Sequence, residues 1–187
     1  MPVAQPTCRP MTATDLPAVM AVAAVVHPDY PEDEAVFAER LRLCPQGCLV
    51  LEGAGGPIGY VVAHPWHCAA PPALNSLLGA LPMQAGCFYI HDLALLPAAR
   101  GSGAGGMVVA RLAEIATDAG LSCLALVAID GSLGFWRRQG FHAVHDPALA
   151  KKLASYDDAA CYLERALPSG APAGPAANPT PSTPNLI

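Results

Sequence analysis

One stretch constrains the fold more than any other: His91-Asp92-Leu93-Ala94-Leu95-Leu96-Pro97-Ala98-Ala99-Arg100-Gly101-Ser102-Gly103-Ala104-Gly105-Gly106. It begins as a strand, breaks at Pro97, and passes through a basic, glycine-rich turn into an amphipathic helix. Such a turn leaves backbone N–H groups uncovered at a helix start, where the macrodipole favours an anion. The unit therefore reads as a cradle for phosphate or pyrophosphate. The strand is expected from Phe88 to Leu96 and the helix from about Gly103 to Ala119. Val108, Leu112, Ile115 and Ala119 line one helix face, and Arg111, Glu114 and Asp118 another. Gly120 closes the helix. Leu121 to Ile129 is a nearly continuous apolar run, as in a strand covered on both faces. Strand, helix and strand in this order make a right-handed βαβ unit with two parallel strands.

The segments before it have a different grammar. Thr12 and Asp15 suggest a capping box with Asp in place of Glu, opening a helix through Leu16, Val19, Met20, Ala23 and Val26. His27-Pro28 ends it. Pro31-Glu32-Asp33-Glu34 is expected to start a second helix, since Pro and acids suit a first turn, with its end near Cys44-Pro45. Cys48–Glu52 and Ile58–His64, joined by a glycine-rich turn, read as an antiparallel hairpin. The connection from Pro65 to Gly86 is long, and long loops in compact domains are often functional. A short helix is expected within it at Ala73–Leu78.

After the βαβ unit, Asp130 and Ser132 are expected to cap a short helix that reaches Gln139 and is closed by Gly140. A short strand follows at Phe141–Val144 and a last one at Ala159–Leu167. Beyond Leu167 the chain is mostly Pro, Ala, Gly, Ser, Thr and Asn, too poor in apolar surface to offset its ordering entropy. The expected organisation is one domain over residues 1–167 and a disordered tail over 168–187. The fold class is α+β: a mixed, mostly antiparallel sheet with one parallel βαβ unit and helices on both faces.

Composition excludes several functions. The chain is 53% hydrophobic and 13% charged, so it should bury a core. A net charge of −5 with 10 Lys+Arg leaves no basic stripe for a nucleic-acid backbone. Seven scattered Cys form no C-x-x-C pair, which suggests a reducing, cytoplasmic setting. The first residues do not read as a signal peptide, and no apolar run approaches the ~18–20 residues of a membrane span.

Two ligands compete for the glycine turn. Gly101-Ser102-Gly103-Ala104-Gly105-Gly106 matches G-x-G-x-x-G, and Asp130 lies after the next strand, as in a dinucleotide fingerprint. Yet Pro97-Ala98-Ala99-Arg100 separates the strand from the first glycine. Too few strands follow for a doubly wound sheet, and the first half is a helix pair and a hairpin. No Lys follows the glycines as a phosphate-binding P-loop requires.

The other spacing is Arg100-x-x-Gly103-x-Gly105. It resembles the Q/R-x-x-G-x-G/A signature of the GNAT superfamily of N-acetyltransferases. Arg9 to Leu16 resembles that family's first strand and helix start, and Gly59-Tyr60-Val61 its third strand. Gly134-Phe135-Trp136-Arg137-Arg138-Gln139-Gly140-Phe141 resembles its FY-x-x-x-GF block, and Tyr156 to Leu167 its terminal strand. The resemblance implies a three-layer GNAT-like fold and acetyl-CoA as cosubstrate. By this resemblance Gly101, Ser102, Gly103, Ala104 and Gly105 present amides to the CoA pyrophosphate, with Arg100 at the edge. It also implies that the backbone of Leu93, Ala94 and Leu95 pairs with the pantetheine arm, one N–H serving as oxyanion donor.

Transfer to an amine needs a base, because only the neutral amine attacks. His91 and Asp92 are the candidates, expected on opposite faces of their strand. An imidazole titrates near ~6.5 in water, suited to accepting a proton at neutral pH. Trp136 stands where the family often has a Tyr acid, and indole only donates a hydrogen bond. Tyr156 is the substitute acid considered, beside water or an unassisted thiolate. His64-Pro65-Trp66-His67-Cys68 is read as a wall of the acceptor pocket rather than a metal site, and no metal is expected. The expected function is acetyl transfer from acetyl-CoA to a primary amine of a small molecule or protein. A non-catalytic acyl-CoA-binding domain and a dinucleotide-binding domain are the alternatives.

Overall fold

The computed structural model describes residues 7–129, 131–147, 149, 153 and 160–168. Their elements in chain order are β1 (Thr7–Pro10), α1 (Leu16–Val26), α2 (Glu34–Leu43), β2 (Cys48–Gly53), β3 (Gly56–Trp66) and β4 (Cys87–Leu95). Next come α3 (Ala104–Asp118), β5 (Cys123–Ala128), α4 (Leu133–Arg138), β6 (His142–Ala143) and β7 (Cys161–Ala166). The strands form a seven-stranded sheet in the order β1-β2-β3-β4-β5-β7-β6. Only β4 and β5 are parallel neighbours; the other pairs are antiparallel. This is the expected mixed α+β sheet, not the doubly wound sheet of a dinucleotide fold.

Alternation along the strands feeds two apolar layers. On one face Met11, Leu16, Val19, Val22 and Phe37 from the α1/α2 side pack on Val50, Tyr60, Val62 and Ala94. On the other, Val108, Val109, Leu112 and Ile115 of α3 pack on Val61, Phe88, Ile90, Leu124 and Leu126. A smaller cluster joins Tyr89, Ala125 and Tyr162 to Leu149 and Leu153.

The capping prediction at Thr12 holds in part: Asp15 Oδ2 accepts from the Thr12 backbone N–H at 2.8 Å and its hydroxyl at 2.7 Å. Asp15 also receives Arg9 at 2.8 and 2.7 Å, while Arg9 Nε donates to Glu52 at 2.9 Å. One guanidinium thus ties β1, the entry to α1 and β2 together. Its hydrogen bonds hold the Asp15 carboxyl well below the usual carboxylate range.

Two expected helical segments change. α2 begins at Glu34 after an extended Asp33, so Pro31 and Glu32 lie outside it. No helix forms at residues 73–78, and the connection runs irregularly with a turn at 74–75. Both changes have one cause, because α2 and the connection satisfy each other's polar groups. The Asn75 N–H donates to Glu32 at 2.7 Å, and its side-chain oxygen accepts from the Asp33 N–H at 2.8 Å. Buried Arg40 donates to the Ser76 carbonyl at 2.7 Å. Glu39 accepts from the Leu78 and Gly79 N–H groups at 2.7 and 2.9 Å. A backbone whose groups are engaged by a neighbour need not form its own helix.

Asp130, Tyr156 and the residues after Pro168 lie outside the described residues. Ser132 sits at the start of α4, but its hydroxyl donates back to the Ile129 carbonyl at 2.7 Å instead of capping the helix. No helix among the described residues is long and apolar enough to cross a membrane.

Candidate active site

The site grows from a fault in the sheet. β4 and β5 pair at only two positions, Phe88 with Leu124 and Tyr89 with Ala125. Beyond them the strands part. Leu93, Ala94 and Leu95 keep their β3 partners, Val61, Tyr60 and Gly59, but have no paired strand on the β5 side. A cleft of about 140 Å³, partly open to solvent, occupies the gap. Leu93 and Asp92 line one side, Leu126, Val127 and Ile129 the other, with Trp136 and Ser132 also in its lining.

The glycine turn continues from the same strand. A 3-10 turn at Pro97–Ala99 leads through Arg100 to Gly101 and Gly103, whose φ angles are +76° and +86°. Side chains are disfavoured in that left-handed region. Gly103 is the N-cap of α3, so the first amides of a 15-residue helix emerge here without intrahelical partners. Ser102 Oγ takes the Ala104 N–H at 3.3 Å and donates to the Ala99 carbonyl at 2.7 Å. Arg100 is exposed, and its Nε donates to the Leu95 carbonyl at 3.3 Å.

A β-bulge decides where His91 and Asp92 point. Val62 is paired with Asp92 and the next residue, Ala63, with Ile90, so His91 is the extra residue in β4. Phe88 and Ile90 face α3, as does Leu93, while Asp92 and Ala94 lie against the α1/α2 layer. The expectation that His91 and Asp92 occupy opposite faces is therefore corrected. Simple alternation would separate them, but the inserted residue brings both side chains to the α1/α2 side.

There each finds a partner. His91 Nε2 lies 2.8 Å from Glu32 Oε2, with the two side chains 7% and 6% exposed. Burial alone would raise the Glu32 carboxyl, but the hydrogen bond and charge of His91 and the Asn75 amide outweigh it and lower its pKa. Asp92 Oδ2 accepts from the Tyr60 hydroxyl at 2.5 Å. Asp92 Oδ1 lies 3.0 Å from His27 Nε2, an ion-pair distance at an angle that falls short of hydrogen-bond geometry. Burial alone would lower the His27 pKa, yet Asp92 outweighs it and the imidazole is raised above its ordinary value. Burial, aided by Asp92, pushes the Tyr60 hydroxyl far above its usual range, so it stays a donor.

His64 is not a pocket wall. It is fully buried, with its ring centroid 6.3 Å from that of His91, and burial lowers its pKa to about 3. The long connection contributes Pro72 and Leu74 to the cleft instead. Trp136 is packed edge-on between Phe135 and Phe141 at centroid distances of 4.9 and 5.2 Å.

Glu32, His27 and Tyr60 are the residues that sequence reasoning missed as site members. Glu32 read as a first-turn helix acid, His27 as a helix terminator and Tyr60 as a strand aromatic. Tyr30, in the segment between α1 and α2, also lines the cleft.

The acetyltransferase (GNAT) family model matches residues 13–141. The chain belongs to the GNAT acetyltransferase family. The matched span runs from the entry of α1 to the residue before β6, and takes in the cleft and the glycine turn. No curated protein sequence matches the chain. Among solved structures, the GNAT fold here is similar to Ard1 from Thermoplasma volcanium, with a TM-score of 0.68 at 16% identity over 88% of this chain and 99% of that one. It is also similar to the GNAT-like decarboxylase GphF in complex with isobutyryl-CoA, with a TM-score of 0.66 at 20% identity over 87% and 100%. The ribosomal-protein-S18-alanine N-acetyltransferase from Escherichia coli gives 0.61 at 14% identity over 90% and 97%. The chain is thus a GNAT-family acyltransferase by sequence, with the fold of that family.

Proposed function

We propose that this acyltransferase moves an acetyl group from acetyl-CoA to a primary amine by direct attack. The observation that carries the reading is the parting of β4 and β5 directly before the glycine turn. An amide-bearing arm needs an unpaired strand edge, and a pyrophosphate needs uncovered amides at a helix start. The chain offers both in sequence. Leu93–Leu95 would take the pantetheine arm, Gly101–Gly105 the pyrophosphate, and Arg100 would add charge at its edge. A solved neighbour of the same fold, GphF, holds isobutyryl-CoA.

In the reaction the neutral amine nitrogen attacks the thioester carbonyl, and a β4 backbone N–H would hold the oxyanion. The C–S bond then breaks, and the thiolate leaves. His91 is the base in this scheme. With Nε2–H donating to Glu32, its lone pair is on Nδ1, and Glu32 supports the imidazolium that forms. Asp92 has Tyr60 and His27 on its two oxygens, which suits a fixed counter-charge for an entering ammonium better than a proton acceptor. The domain would span residues 1–167, with 168–187 as a tail. All seven cysteines are unpaired, which supports a reducing, cytoplasmic setting.

The test is thiol release from acetyl-CoA over a panel of small amines, amino acids and peptide N-termini. Amine-dependent release is expected. Tight CoA binding with no turnover on any amine would favour a binding module, and thermal stabilisation by NAD but not CoA would overturn the cofactor assignment.

A further inference from the structure

Cysteine chemistry gathers at the end of the sheet away from the glycine turn. The connection after β3 leaves through Cys68 and returns through Gly86 and Cys87, and its base is closed by the Gly86 N–H donating to the Trp66 carbonyl at 2.9 Å. Cys123 opens β5 and Glu164 lies in β7, the next strand. Three residues far apart in sequence, Cys68, Cys123 and Glu164, therefore converge. The Sγ atoms of Cys68 and Cys123 and a carboxylate oxygen of Glu164 all lie within 4.8 Å of one another. The buried Cys87 thiol donates to the Trp66 carbonyl at 3.5 Å, and the Cys123 thiol donates to the Gly86 carbonyl at 3.7 Å.

Two further features make this a built cluster. Tyr162 donates its hydroxyl proton to Glu164 at 3.1 Å while accepting the Ala69 N–H at 2.9 Å, so one side chain fixes the carboxylate and the backbone beside Cys68. That is how an outer partner orients a ligand. Gly86 leaves the space that Cys68 uses: a Cβ there would lie 2.7 Å from Cys68 Sγ.

We propose that Cys68, Cys123 and Glu164 bind a zinc ion that staples the base of the 67–86 connection to β5 and β7. Thiolate-rich sets with one hard oxygen suit zinc among the divalent ions. Zn–S bonds of ~2.3 Å imply ligand separations of roughly 3.7 Å, so the three donors need to close in by about 1.1 Å at most. Each thiol that binds loses its proton to solvent, and no electron is transferred. A Cys68–Cys123 disulfide would give the adjacent carboxylate no ligand, whereas a cation engages it together with both sulfurs.

The site is tested on the full chain, reduced, loaded with Zn²⁺, freed of excess metal by gel filtration and assayed for bound metal. Co²⁺ loading under the same conditions reports thiolate ligation through near-ultraviolet charge-transfer absorption. One equivalent of zinc is expected, with a cobalt–thiolate band. Cys68→Ser and Glu164→Gln should each lower zinc affinity at least 10-fold with unchanged circular dichroism; Cys68 is exposed, so its substitution leaves the core intact. Cys8→Ser, in the edge strand β1, should bind as the parent does. No retained zinc in the reduced parent, or equal retention by Cys68→Ser and Glu164→Gln, would overturn the proposal.

Discussion

His91 and Glu32 come from segments 59 residues apart and meet at 2.8 Å with little solvent between them. In the proposed mechanism that pair is the proton-handling unit. His91→Ala should lower kcat by about 10²–10⁴-fold, the usual span for a positioned acid–base group, with little change in acetyl-CoA affinity. Steady-state kinetics beside calorimetric CoA binding separate the two effects. His27 tests the neighbouring pair through pH. Its folded pKa is raised above the unfolded value near ~6.5. Its contribution to stability is then fully present below ~6.5 and lost as pH rises through the folded value. His27→Gln should therefore lower the Tm most near pH 6, and the deficit should shrink by pH 9. A deficit that grew with pH would show that the contact with Asp92 does not act as an ion pair.

At the scale of elements, two connections set the site. The first is the turn into α3. Gly103 has a φ of +86°, and a Cβ there would meet nothing within 4 Å. The cost of substitution is thus backbone strain alone, roughly 1–2 kcal/mol for an L side chain in that region. Gly103→Ala should weaken acetyl-CoA binding by about 10-fold as the amide cradle relaxes, measured by titration calorimetry. The second is the 67–86 connection. Asn75 has a φ of +50° and bonds Glu32 and Asp33. Asn75→Gly keeps that backbone conformation but removes the side-chain bond to the Asp33 N–H, a loss of about 0.5–1.5 kcal/mol. Because the connection also supplies Pro72 and Leu74 to the cleft, we expect a raised KM for the amine with CoA affinity unchanged.

These elements also show what a linear reading can reach. The βαβ unit, the hairpin and the glycine turn were legible because period, proline breaks and glycine spacing are local signals. The α2 start and the absent 73–78 helix were not, because Glu32, Glu39, Arg40 and Asn75 bond across about 40 positions of sequence. Alternation placed His91 and Asp92 on opposite faces, and a single inserted residue reversed that. A bulge leaves no mark in residue type, so the convergence on Glu32 and His27 could not be read from composition or spacing.

For the whole molecule, the layers and the family agree. Apolar strands sandwiched between α1/α2 and α3 hold one parallel pair in an otherwise antiparallel sheet, and that pair is where the sheet opens. The GNAT family model spans the same region. In the proposed function acetyl-CoA lies in this opening, along β4 and over the turn. Amide hydrogen exchange of the full chain with and without acetyl-CoA tests it most directly. New protection is expected at Leu93–Leu95 and at Gly101–Gly105, with β1 and β2 unchanged. Protection confined to other elements, or none at saturating acetyl-CoA, would contradict it.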